Sequence, residues 1–67
     1  MKLERKIVGA EHTGFRLDKF LGVSMENLTR SAAEKWIEAG LVTKDGRSLG
    51  KSYRCAEGDR LEIRIPD

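Results

Sequence analysis

From Phe15 onward the spacing of apolar residues changes period at Gly40, and that change limits the folds open to this sequence. Before Gly40 the period is helical. Leu17, Phe20 and Leu21 stand at i, i+3 and i+4 on one helix face, with Arg16, Asp18 and Lys19 directed elsewhere. Ala32, Ala33, Trp36, Ile37 and Ala39 share one side of a second helix, with Arg30, Ser31, Glu34, Lys35 and Glu38 on the other. Two N-caps are open to it: Thr29, or Ser31, whose string to Glu34 fits a capping box. Gly40 stands where a left-handed residue ends a helix. After Gly40 the period is two. Leu41 to Lys44 reads as a strand, Asp45-Gly46 as a two-residue hairpin turn, and Arg47 to Leu49 as the return. Gly50 to Cys55 is basic and less regular, and Glu57-Gly58-Asp59 is a further turn. Arg60 to Ile65 alternates, with Leu61, Ile63 and Ile65 inward and Arg60, Glu62 and Arg64 outward, until Pro66 ends it. Ahead of the helices, Leu3 to Val8 reads as a charged edge strand and Gly9 to Gly14 as a connection. Gly22 to Leu28 joins the two helices. The expected fold class is α+β: one strand, two helices, then three short strands paired mainly antiparallel.

At 67 residues the chain is expected to form a single domain, 1–67, with little room for an enclosed substrate pocket. Aromatic residues are only 6 %, so the core must be mainly aliphatic. No apolar run approaches the ~20 residues of a membrane span, and the start, Met1 to Lys6, lacks the apolar stretch of a secretory signal. A lone cysteine, Cys55, has no internal disulfide partner, which makes the cytoplasm the expected compartment. The net charge of +2 is unevenly spread. Residues 29–55 hold six basic side chains, Arg30, Lys35, Lys44, Arg47, Lys51 and Arg54, against three acidic ones, so the positive excess lies in the middle of the chain.

Enzymatic and metal chemistry find few footholds. A structural zinc needs four ligands, and the chain offers one cysteine and one histidine, His12. His12 lies between Glu11 and Thr13 in a polar connection and reads as an exposed loop residue rather than a catalytic base. Arg54 beside Cys55 would lower a thiol pKa, but with no histidine partner evident Cys55 reads as a small buried hydrophobe. The stretch from Gly46 to Ser52 imitates a phosphate loop with one residue too few between its glycines, and it follows a hairpin instead of opening a helix. Glu34 and Glu38 are flanked by Arg30 and Lys35 and read as a solvated salt-bridge ladder. No catalytic residue, metal or cofactor is expected.

What remains is a basic surface. Arg30 and Lys35 occupy the polar face of the second helix, whose first turn adds Ser31 and unpaired backbone amides. Lys44 and Arg47 flank the Asp45-Gly46 turn, and Lys51 and Arg54 lie beyond it. If hairpin and helix pack side by side, the six cations converge on one groove suited to phosphates. Aromatics are too scarce for a base-stacking platform, so the expected ligand is structured RNA read by shape and phosphate.

Five blocks in order, Arg16 to Leu21, Thr29 to Ala32, Ile37 to Val42, Asp45-Gly46 and Gly58-Asp59, resemble the alpha-L RNA-binding motif. This is the domain shared by small-subunit ribosomal protein S-four and several RNA-modifying enzymes. The resemblance covers about residues 14–65 and is greatest to the N-terminal domain of large-subunit ribosomal RNA pseudouridine synthases. It implies two helices packed on a small, curved sheet, with RNA contacts at Arg30, Ser31, Lys35, Lys44, Arg47, Lys51 and Arg54. Asp45 stands where the motif usually has asparagine, and Lys44 where it usually has an apolar residue. The string Arg16-Leu17-Asp18 resembles the catalytic string of such synthases, but Phe15 replaces their histidine, and Asp18 reads as a paired or solvated helix residue. The implied function is an RNA-binding module, monomeric, holding structured ribosomal RNA for a catalytic domain the chain lacks. A free-standing ribosome-associated protein and a protein-interaction domain with an acidic partner are the alternative readings.

Overall fold

Asp45 and Gly46 both adopt positive φ, 53° and 81°, as a two-residue turn between twisted antiparallel strands requires. The turn joins strands β2 (Val42–Lys44) and β3 (Arg47–Ser48) in a computed structural model that describes residues 2–66. Met1 and Asp67, the two ends of the expected 1–67 domain, lie outside the described residues. The other elements are β1 (Lys2–Ile7), α1 (Leu17–Ser24), α2 (Arg30–Glu38) and β4 (Arg60–Ile65), in the expected order. The four strands form one antiparallel sheet ordered β1-β4-β2-β3, so the class is α+β. Between β1 and α1, Ala10–His12 forms a short 3-10 turn.

Helix α2 starts at the first of the two candidate caps: Thr29 Oγ1 accepts the Ala32 N–H at 3.1 Å. Ser31 is instead an exposed residue of the first turn. The helix ends in a Schellman motif, with Gly40 at φ 78°, its N–H donating to the Ile37 carbonyl and the Leu41 N–H to the Trp36 carbonyl. Helix α1 extends through Ser24, deeper into the expected connection than its sequence suggests.

The core lies between the helices and one sheet face. Leu17, Phe20 and Leu21 from α1, Ala33 and Ile37 from α2, Val42, Leu61 and Ile63 from the sheet, and Val8 and Cys55 from connections are all buried. Trp36 is only half-buried and packs at the edge of this cluster with Met25, Leu28 and Ile65; Ala39 is exposed past the end of α2. His12 departs from its expected exposure: it is half-buried, its ring edge-on to Phe15 and Phe20 at 5.2 and 5.4 Å.

Strand β1 carries its pattern in reverse. It is an edge strand, as expected, but register with β4 sets Lys2, Glu4 and Lys6 on the helix side, opposite Ile65, Ile63 and Leu61. Leu3 and Ile7 face outward, 48 % and 68 % exposed. A slip of one residue would exchange the two faces. Val8 prevents it: buried in the core, it donates to the Asp59 carbonyl at 2.9 Å and accepts from the Gly58 N–H at 2.8 Å. Arg5 Nε on Glu62 Oε2, at 3.0 Å, fixes the same register from outside.

Asp59 is buried at the start of β4. Its carboxylate accepts from the Tyr53 hydroxyl at 2.5 Å and the Ala56 N–H at 3.0 Å, and Lys44 Nζ lies 2.9 Å away. Burial alone would raise its pKa. The bonds from Tyr53, Ala56 and Lys44 outweigh burial and hold it below the usual carboxylate range. Burial and the charge of Asp59 push the Cys55 thiol up to about 11, so it packs as a neutral hydrophobe and Arg54 does not activate it.

Two outcomes follow from this packing. Leu61→Ala opens the centre of the core and is expected to lose about 2–5 kcal/mol. Trp36→Ala, at the rim, is expected to lose less than Leu61→Ala; denaturant titration of both variants ranks them. Because Asp59 is held ionised in the fold, its contribution is intact above the carboxylate range and lost as pH falls through its lowered pKa. Thermal midpoints should be level from pH 7 to about 5 and drop below about pH 4. Asp59→Asn should make that drop shallower.

Candidate RNA interface

The segment after the hairpin is tied to the residues leading into α1. Gly14 N–H donates to the Cys55 carbonyl at 2.7 Å, Cys55 N–H to Phe15 at 2.8 Å, and Leu17 N–H to Tyr53 at 2.8 Å. Arg16 and Arg54 thus face one another in an antiparallel bridge, and Arg54 Nη1 also donates to the Gly14 carbonyl at 3.1 Å. Two arginines far apart in sequence are brought together mainly by backbone hydrogen bonds.

A third arrives through Asp18. The sequence pattern sends Asp18 away from the core face of α1, but it is fully buried there, in the helix's first turn. Oδ1 accepts the Lys19 N–H at 2.8 Å and Oδ2 accepts Arg30 Nε at 3.1 Å; Arg16 Nε lies 3.5 Å from Oδ1. Burial would raise the pKa of Asp18. The bonds from Arg30 and Lys19, with the charges of Arg16 and Arg30, outweigh it and keep the carboxylate below its ordinary range. Of the two readings open to Asp18, paired or solvated, the fold selects paired.

The remaining expected contacts divide. Lys44 and Arg47 sit opposite each other across β2 and β3 and line a surface hollow with Asp45, Leu49 and Tyr53. Lys44 is half-buried and already engaged: its ammonium bonds Asp59 and the Tyr53 hydroxyl, the latter at 3.2 Å, and Asp59 above all raises its pKa. It braces the hairpin rather than extending free into solvent. Arg47 is exposed at the hairpin. Lys51 is exposed in the turn after Gly50. Ser31 and Lys35, four residues apart on α2, are both exposed on its outer side.

The expected single groove is therefore two groups: Arg16 and Arg30 on Asp18, with Arg54 bridged to Arg16 by backbone, and Lys44 and Arg47 beside Tyr53. The succession Tyr53-Arg54 links them. Among the described residues the side chains of Ser31, Lys35 and Lys51 make no hydrogen bond or ion pair with either group. Sequence reasoning missed Arg16 and Tyr53. Arg16 reads as an outward residue of the first helix and as part of a motif block and a catalytic look-alike, not as a phosphate contact, and Tyr53 is the lone tyrosine, between Lys51 and Arg54. Among the described residues no group of three or more His, Cys, Asp or Glu side chains could hold a metal ion, and no helix is long and apolar enough to cross a membrane.

Residues 15–61 match the S4 domain family. An RNA pseudouridine synthase of Aquifex aeolicus is 36 % identical over 66 residues, 97 % of this chain and 20 % of that protein. One of Synechocystis is 40 % identical over 55 residues, 81 % of this chain and 17 % of its own length. One of Chloroflexus aurantiacus is 35 % identical over 60 residues, 90 % of this chain and 19 % of the relative. All three are uncharacterized synthases. The chain spans about a fifth of the length of these relatives and corresponds to their N-terminal part, so it represents a non-catalytic domain. No solved structure matches it significantly. With the helical pair, the hairpin and the family match all covering the same residues, the chain belongs to the S4 domain family, a family of RNA-binding domains.

Proposed function

We propose that this domain grips structured ribosomal RNA by its phosphates, as the RNA-holding part of a pseudouridine synthase. The observation that carries this is the juxtaposition of Arg16, Arg30 and Arg54 with the Lys44–Arg47 hairpin on a domain of a family that binds RNA. Arginine forks and lysine point charges suit phosphate oxygens. Phe15, Phe20, Trp36 and Tyr53 are each buried or half-buried, and none is a free platform for stacked bases, which favours backbone over sequence readout. The similarity to synthases favours a uridine-isomerising partner domain, with this module supplying affinity and orientation and no chemistry of its own. Action as a monomer in the cytoplasm is part of the same proposal.

Titration of the domain with a structured ribosomal RNA fragment at two salt concentrations tests it. Lys35→Ala and Arg47→Ala should each weaken binding with the fold retained, whereas Arg30→Ala should weaken binding and also lower the melting temperature, because it unpairs the buried Asp18. Each lost phosphate contact should reduce the slope of log affinity against log salt by about 0.7–0.9. Variants that bind as tightly as the parent would reject the proposed surface. Lys44→Ala is expected, like Arg30→Ala, to lower the melting temperature as well, because it unpairs Asp59.

A further inference from the structure

We propose that Arg16 and Arg30 form a seat for a single RNA backbone phosphate, and that the buried Asp18 is the residue that positions it. The inference rests on the RNA-binding reading above and adds a ligand group and a positioning residue.

Both guanidiniums approach the same carboxylate through Nε: Arg30 at 3.1 Å and Arg16 at 3.5 Å. Among the described residues neither makes a hydrogen bond through its Nη atoms. A guanidinium oriented at Nε keeps its two terminal nitrogens as a planar fork, the donor pattern that fits two phosphate oxygens. Exposure agrees. The Asp18 side chain is 0 % exposed, whereas those of Arg16 and Arg30 are 37 % and 61 % exposed. Arg16 Nε is itself buried, so the exposed part of that side chain lies elsewhere along it.

The pairing also exceeds what folding needs. One arginine and the Lys19 N–H would satisfy a buried carboxylate, and Oδ1 already accepts that N–H. Arg16 Nε is left without a hydrogen bond. Two arginines against one carboxylate leave the cluster positive, with Arg54 bridged to Arg16 by backbone. The surplus cation, with the Nη forks of both arginines left without hydrogen bonds among the described residues, describes a site one anion short.

Asp18→Asn separates positioning from charge, because the two predict opposite signs. The substitution makes the domain more positive by one, so if Asp18 acted only as a charge, RNA would bind more tightly. If Asp18 positions the arginines, an RNA hairpin should bind about tenfold more weakly despite the added charge, with a salt slope lower by about 0.7–0.9. Arg16→Lys and Arg30→Lys keep the charge and remove the fork; each should also weaken binding severalfold. Arg64→Lys, on the exposed sheet face, should not. Amide spectra of every variant report whether the fold is native. If Asp18→Asn does not fold, the two arginine-to-lysine variants decide alone. Equal or tighter binding by folded Asp18→Asn, or unchanged binding by both lysine variants, overturns the seat while leaving RNA binding intact. Failure of the parent domain to bind the hairpin overturns the RNA reading and the seat with it.

Discussion

The backbone pairing of residues 14–17 with residues 53–55 is the constraint on which the rest of this small domain turns. It comprises three main-chain hydrogen bonds of 2.7–2.8 Å. Without it, the stretch from Gly50 to Asp59 would lose its hydrogen bonds to the segment leading into α1. With it, Cys55 enters the core, Tyr53 is brought to Asp59, and Arg54 is set beside Arg16. One short bridge thereby joins the helical half of the chain to the strand half.

The same region shows how a chain with little apolar surface uses ionised groups inside. Asp18 and Asp59 are both buried, and each is surrounded by donors that outweigh the burial penalty. Each carboxylate ties together elements distant in sequence: Asp18 links α1 to α2, and Asp59 links β4 to the hairpin and to Tyr53. Removing one partner leaves a buried charge behind, so each pair, once part of the fold, is costly to break. The cations they hold are those that define the basic surface. Fold and site are here parts of one charge network.

Local chemistry was legible in the sequence and long-range pairing was not. Asp45-Gly46, Gly40 and the polar face of α2 each require only nearby residues, and each is found where the sequence indicates. The alternation of Leu61 and Ile63 correctly marks the inward face of β4. Asp18 was assigned to the wrong side because helical periodicity ranks an aspartate as polar and cannot see an arginine twelve residues away on another helix. Lys44 was read as a free cation because its partner Asp59 stands beyond an irregular stretch. Strand β1 looked like an edge and is one, but its faces were set by Val8 and by Glu62, the latter at the opposite end of the chain. The expected basic residues lie on α2, the hairpin and the segment after it, as the sequence indicates; their separation into two groups and the placing of Arg16 beside Arg54 depended on the backbone bridge.

The pairing of β1 with β4 matches Lys2 to Ile65 and Ile7 to Arg60. The first strand made is thus completed only by the last. A loop spanning nearly the whole chain must close before that ladder returns any hydrogen bonds, and such non-local closure slows folding. During synthesis, α1, α2 and the β2–β3 hairpin can form from local contacts, but Leu61 and Ile63, which roof the core, arrive at the end. Until β4 docks, the apolar sides of both helices stay uncovered, so the domain's period of greatest vulnerability to aggregation falls in the interval before its final strand is released.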